Sequence, residues 1–329
     1  MPHLNCSACQ PPITSFSGHP VGTLETLSRM LKHPVVILQS IAATADQRYR
    51  IGKQERKKDG TLRICYDALG ALKSIQARIQ CLILNKVTYP IYLQGSIKDR
   101  KSPRGQKPNA RLHTRKRILI TEDIKQFFPG VKSSIIFDIW NRFFKFPPGV
   151  AAILTKLTTK DGTLPQGTKT SALLANLVFW ENEWRVVADF HERGITYTRL
   201  IDDITCSSVA ELSPTMVTHI ISSLHAMVRR KGLRLNAHKQ TIARSGERQV
   251  STKLVVNVKT ALPAEIRSTI RAAVSGLRSR APAARTTPDY ERNYRRVSGR
   301  VAYLQQHHPK EAAQLREILR AIRPAQRAD

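Results

Sequence analysis

The sequence predicts an α+β fold, an antiparallel sheet that carries a few acids and has helices packed on one face. Three observations point there. Strand and helix patterns intermix along the 329 residues with no internal repeat. One hairpin, ITYTRLIDDITCSS (195–208), joins two apolar strands through adjacent aspartates. Neither GxxxxGKS/T nor GxGxxG occurs, so ATP or dinucleotide binding on a doubly wound sheet has no support.

The elements follow in order. Residues 1–20, rich in Pro, Ser, Gly and His, predict a loose tail. Two short helices over 22–46 are split at Pro34, since proline breaks a helix interior. YRIGKQER and TLRIC, within 48–65, predict a hairpin turning at Lys58-Asp59-Gly60. In LGALKSIQARIQCLILNKV, the residues Leu69, Leu72, Ile75, Ile79, Leu82 and Ile83 share one helical face. Residues 87–108 read as a loop. RILITED (117–123) is a buried-type strand ending in an acid. Helices are predicted over 133–144, 148–158, 170–192 and 212–231, with short strands near 241–244 and 253–257. The strands of 195–208 are expected to turn at Asp202-Asp203. From 262 to 329 the chain reads as helical, with nine arginines between Ile266 and Arg300.

Lys and Arg number 54 against 24 Asp and Glu, a formal charge of +30, while 41% of residues are hydrophobic. That share builds a sizeable core and excludes disorder as the main state. A folded protein with this charge calls for a polyanionic partner, nucleic acid before an anionic membrane. No apolar run approaches the roughly 18 residues of a spanning helix. MPHLNCSACQ lacks the basic and apolar regions of a secretory signal, so a cytoplasmic location and no membrane partner are expected. The five cysteines, Cys6, Cys9, Cys65, Cys81 and Cys206, are odd in number and scattered, which argues against a disulfide framework. Cys6 and Cys9 form a CxxC without a second one at zinc-ribbon spacing, which favours a tail carrying two thiols over a metal site.

Two acid sites stand out, Asp123 at the end of an apolar strand and the Asp202-Asp203 pair. Acids are costly on buried strands unless they meet a cation or a partner. A strand-end cap and ordinary turn chemistry are the plain alternatives for each. Together, carboxylates on neighbouring strands can hold two Mg²⁺ ions about 3.5–4 Å apart, one activating a hydroxyl and one holding a triphosphate. That is polymerase chemistry. From Lys101 to Arg117, just before the first acid, there are seven basic residues and no acid.

ITEDIKQFFPGV (120–131), LPQGTKTSALLANLVF (164–179) and YTRLIDDITCSS (197–208) resemble, in order, the A, B and C motifs of reverse transcriptases. NARLH (109–113) matches the NAxxH signature of the bacterial retron enzymes. GTLRI and LGALKSIQ resemble the family's fingers, GLRLNAHKQTI (232–242) its motif D, and VSGRVAYLQQHHP (297–309) its thumb. The resemblance covers residues 45 to 310. Three positions depart from it: Leu200 stands where an aromatic is usual, Lys169 replaces a proline in motif B, and Ser251-Thr252-Lys253 aligns with VTG.

The resemblance implies a right-hand polymerase: a tail (1–20), N-terminal helices and fingers (21–116), a palm of antiparallel sheet and helices (117–258) and a basic helical thumb (259–329). It implies a two-Mg²⁺ site held by Asp123, Asp202, Asp203 and the Ile124 carbonyl, with Lys239 as general acid toward pyrophosphate. Arg63, in preference to Lys53, is expected to grip the triphosphate. Phe128, five residues after Asp123, is expected to crowd a ribose 2′-OH; core packing beside Phe127 is its alternative. Gln166 and Gly167 are expected under the incoming base. Asn109 and His113 are expected to read RNA, against a structural role of equal weight. Arg267, Arg271, Arg292, Arg295 and Arg296 are expected to track an RNA–DNA hybrid through phosphates, and Tyr294 and Tyr303 to be buried.

The implied activity is RNA-directed DNA synthesis from deoxynucleoside triphosphates. The template and primer would be one structured noncoding RNA, the first nucleotide joined to a guanosine 2′-OH to give branched msDNA for anti-phage defence with a separate effector protein. Another bacterial reverse transcriptase, of group II intron or other defence type, and a catalytically silent RNA-binding scaffold remain the alternatives.

Overall fold

The computed structural model describes residues 13–56, 60 and 62–325. Cys6, Cys9 and the Lys58-Asp59 part of the expected turn lie outside them. The chain divides into two compact units, Met1–Asn109 with Lys116–Ala243, and Ala110–Arg115 with Arg244–Asp329. No helix among the described residues is long and apolar enough to cross a membrane.

The first unit opens with β1 (Ser15–Phe16), α1 (Leu24–Leu31) and α2 (Val35–Ala43). The Thr23 hydroxyl caps α1, accepting from the Thr26 N–H at 3.2 Å, and Pro34 separates the two helices as expected. Strands β2 (Tyr49–Arg56) and β3 (Leu62–Ala68) form the expected antiparallel pair. Helix α3 (Gly70–Leu82) buries Leu72, Ile75, Gln76 and Ile79. Its apolar stripe is shorter than the periodicity predicts, because Leu69 precedes the helix and is 39% exposed. The segment expected as a loop holds β4 (Val87–Thr88), paired with β1, and the start of α4 (Gln106–Leu112).

Strand β5 (Ile118–Asp123) leads into α5 (Phe127–Gly130) and α6 (Ser133–Asp138), which runs on as a π-helical turn, Ile139–Phe143. After α7 (Pro148–Thr158), the helix expected over 170–192 is two, α8 (Ser171–Leu177) and α9 (Glu183–Glu192), separated by turns. Then come β6 (Ile195–Leu200), β7 (Asp203–Ser208), α10 (Pro214–Arg229) and β8 (Thr241–Arg244). The sheet has the order β6-β7-β5-β8, with β6 and β5 both antiparallel to β7. Consecutive residues of β5 and β7 are buried, so both faces of these strands are covered rather than the one the sequence predicts. Trp140 stacks on Phe144 and Phe146, with the Trp140–Phe144 centroids 4.9 Å apart, and the Phe16 ring of β1 meets Phe144 edge-on.

The second unit pairs β9 (Val250–Ser251) with β10 (Leu254–Val255) and continues into α11 (Ala264–Ala284), α12 (Pro288–Gln305) and α13 (Pro309–Ala321). Each helix presents an apolar stripe to the others, such as Ile270, Val274 and Leu277 of α11 and Val297, Val301 and Leu304 of α12. Tyr290 is fully buried and its hydroxyl donates to the Ile322 carbonyl at 2.7 Å. The Arg115 N–H donates to the Val256 and Asn257 carbonyls, each at 3.2 Å, which ties the residues that follow α4 into this unit.

Candidate active site

The sheet register gathers the acids. Asp123 is the last residue of β5 and Asp203 the first of β7, and they are direct antiparallel partners. The β6–β7 turn therefore consists of Ile201 and Asp202, one residue earlier than the sequence predicts, with Leu200 paired to Asp203. The Ile124 N–H donates to the Asp202 carbonyl at 3.0 Å, so the chain leaving β5 is fastened to this turn. On the other side, the Asn236 N–H donates to the Asp123 carbonyl at 2.8 Å.

Lys239 closes the cluster. Its ammonium lies 3.0 Å and 3.1 Å from the two Asp123 carboxylate oxygens. Burial works against the ammonium, yet the hydrogen bond and charge of Asp123, with Asp203 and Asp202 behind it, hold its pKa above the ordinary lysine value. Burial pushes the Asp202 carboxyl up, and the Asp123 charge pushes it further, while Arg63 and Lys239 pull it back. Among the described residues no group of three His, Cys, Asp or Glu stands in metal-holding geometry. The donor set still suits a hard divalent cation, carboxylate oxygens with a backbone carbonyl alongside. Burial first, and the Asp123 charge after it, disfavour the ionised Asp202, a cost that such a cation would relieve.

Arg63 is exposed on β3 opposite Glu55, and its charge reaches the Asp202 carboxyl. Lys53 is 3.5 Å from Glu55. The Gln166 carbonyl accepts from the Tyr66 N–H at 2.7 Å, which docks the 164–170 loop onto β3. Gly167 has φ +102°, and a Cβ there would stand 2.9 Å from the Tyr66 carbonyl oxygen, so the close approach requires glycine. Phe127 is 2% exposed and stacks on Phe179, whereas Phe128 is only partly buried, its ring 5.8 Å from that of Phe127. Of the two rings, Phe128 is the one with accessible surface.

Asn109 and His113 are both fully buried. In this conformation neither presents a base-reading group, a difference from the expectation that follows from their lying on and beside α4 rather than in an open basic loop. The arginines expected to meet phosphates are occupied. Arg267 and Arg271 both pair with Glu311, at 2.8 Å and 2.6 Å. Arg292 pairs with Asp289 at 3.4 Å, Arg295 with Glu291 at 2.5 Å, and Arg296 donates to Asn293. The Tyr294 hydroxyl donates to the Leu319 carbonyl at 3.1 Å, and the Tyr303 ring packs edge-on to His307.

Sequence reasoning missed Arg199 and Glu183. They are almost completely buried and form a bidentate pair directly behind the Ile201–Asp202 turn. A charged residue within an apolar strand was the available signal.

A family model described as reverse transcriptase (RNA-dependent DNA polymerase) matches residues 55–270. The retron Se72 reverse transcriptase of Salmonella heidelberg (strain 579083-10) is 35% identical over 315 residues, spanning 94% of this chain and 82% of that protein. The retron Ec48 reverse transcriptase of Escherichia coli is 28% identical over 94% of this chain and 78% of its own length. The Candida albicans telomerase, solved with a fragment of telomeric RNA, aligns over 61% of this chain and 40% of that one at 6% identity with a TM-score of 0.35, too slight to add to the assignment. On the sequence matches, the chain belongs to the reverse transcriptases, RNA-directed DNA polymerases, of the retron type.

Proposed function

We propose that this reverse transcriptase copies part of a dedicated structured noncoding RNA that serves as both template and primer. Synthesis would start from a guanosine 2′-OH and give a branched RNA–DNA product, msDNA, used in anti-phage defence with a separate effector. The observation that carries the catalytic part is the register that makes Asp123 and Asp203 direct partners with Asp202 in the adjoining turn. The retron relatives support the RNA-primed part.

In this reading β2 and β3 belong to the fingers, the four-stranded sheet to the palm and α11–α13 to the thumb. Asp123, Asp202, Asp203 and the Ile124 carbonyl would hold Mg²⁺, which when bound activates the attacking hydroxyl and neutralises the triphosphate. Lys239 leaves Asp123 for the departing pyrophosphate and supplies its proton. Arg63 grips the triphosphate and Phe128 crowds the ribose 2′ position. Gln166 and Gly167 seat the incoming base on a loop already fixed to β3. The arginines of α11 and α12 exchange their acid partners for phosphates of an RNA–DNA hybrid, at small cost for the exposed pairs of α12, which contribute at most about 1 kcal/mol each.

The test is to purify the protein with its bound RNA, add Mg²⁺ and deoxynucleotides, and analyse the linkage of the new DNA. DNA attached to RNA through a bond cut by a 2′,5′-debranching enzyme is the expected product. Extension of annealed primers only, with no branched product, would favour the intron-like reading.

A further inference from the structure

The turn that presents Asp202 is held in an unfavourable shape. Ile201 and Asp202 are its two central residues, since Leu200 and Asp203 pair across it. Ile201 has φ +62°, and Asp202 is not among the positive-φ residues. That is the pattern of the hairpin turn that takes glycine at its first central position, and a β-branched residue there is strained.

Two contacts hold Ile201 in place. Its side chain lies directly on the Gly95 backbone, where an added Cβ would meet it at 2.5 Å. Its carbonyl accepts from Arg199 Nη1 at 2.9 Å. Arg199 is anchored in turn. Its Nε and Nη2 donate to Glu183 Oε1 and Oε2 at 2.6 Å and 2.8 Å, and Nη2 also donates to the Asn176 carbonyl at 2.9 Å. The guanidinium lies 5.2 Å from the Phe179 ring. The Tyr197 hydroxyl donates to Glu183 Oε1 at 2.7 Å, and the Asn176 amide donates to the Gly95 carbonyl at 2.7 Å. Ile201, Arg199, Asn176 and Gly95 thus form a closed ring of contacts, with Glu183 bracing Arg199.

A buried ion pair is a weak source of stability, because desolvation offsets the attraction. Its geometry is the more telling property. Guanidinium is a rigid fork of five donors. Here it serves one carboxylate and two carbonyls at once, which an ammonium projecting from a single nitrogen cannot reproduce.

We propose that Arg199, locked by Glu183, is a positioning residue that holds the strained Ile201–Asp202 turn and so aims the Asp202 carboxylate. This rests on the reading of Asp202 as a catalytic ligand. The role is specific to the turn, so it should disappear when the turn no longer needs holding. Ile201→Gly provides that background, because glycine adopts positive φ without strain.

The experiment measures single-nucleotide kcat on an annealed RNA template and DNA primer, template–primer Kd and Tm. Four proteins are compared: the parent, Arg199→Lys, Ile201→Gly and the double variant. Arg199→Lys should lower kcat about tenfold with Kd changed less than about twofold, and in the Ile201→Gly background its effect should shrink to about threefold or less, the non-additivity of residues in one network. An equal loss in both backgrounds, or a loss that follows the folded fraction, overturns the positioning role. If Arg199→Lys does not fold, Glu183→Gln is measured in the same two backgrounds with the same expected coupling. Asp202→Asn, run alongside, separates the two readings. A dead Asp202→Asn without coupling overturns the role of Arg199 alone, whereas an active Asp202→Asn overturns both.

Discussion

The Lys239 ammonium bridges both oxygens of the Asp123 carboxylate, at 3.0 Å and 3.1 Å, where a divalent cation would otherwise be expected. In the metal-free protein the lysine is the local counter-charge. Lys239→Met should therefore cost little stability without metal, at most about 1 kcal/mol, because half of the lysine side chain is exposed. The same variant should gain more Tm on addition of Mg²⁺ than the parent, since the ion no longer displaces an existing partner. Thermal denaturation with and without Mg²⁺ checks this, and an equal gain in both proteins would contradict it.

Asp202 carries the opposite sign. Burial and then Asp123 raise its folded pKa above 3.8, while the unfolded chain titrates at the ordinary value. The native state thus binds the proton more tightly. Its stabilising contribution is present in acid and is lost as pH rises from the unfolded value through the folded one. At neutral pH the ionised group opposes folding, so metal-free Asp202→Asn should melt higher than the parent at pH 7. The difference should narrow as both are taken below the unfolded value. Melting curves across that pH range in a chelator decide it.

Phe128 has accessible surface where Phe127 has almost none. If its ring lies against the sugar, Phe128→Val should raise ribonucleotide incorporation relative to deoxynucleotide, by about 10-fold or more for a lost steric exclusion worth about 1.4 kcal/mol. The ratio of the two kcat/KM values is the measurement. An unchanged ratio assigns the ring to packing.

Thr252 and Lys253 link β9 to β10 with φ of +46° and +68°. Two successive positive φ angles mark the turn type that favours glycine at its second central position, where Lys253 stands in place of the family's glycine. Lys253→Gly should stabilise the protein by about 0.5–1 kcal/mol, the left-handed penalty less the added unfolded-state freedom of glycine. A higher Tm is the expected outcome, and an unchanged or lower one would count against strain at this turn.

The acids were legible because an aspartate closing an apolar strand conflicts with burial, and the conflict is local to RILITED and RLIDD. The position of the turn was less so. Adjacent aspartates read as turn residues, while the actual turn puts Ile201 at positive φ against its own preference. Asn109 and His113 sit in a segment whose charge suggests exposure, and only the packing of α4 reveals their burial. Arg199 and Glu183 were hidden for a different reason. Arg199 in its apolar strand was a local signal, but an arginine in a strand ordinarily faces water and its partner comes from another element, so the pairing itself was not visible.

The most direct test of the two-strand acid site is single-turnover deoxynucleotide incorporation by Asp202→Asn, with template–primer affinity measured on the same preparation. Loss of Mg²⁺-dependent incorporation with affinity retained is the expected result, since binding is spread over many phosphate contacts and catalysis over a few ligands. Incorporation at the parent rate would contradict the assignment.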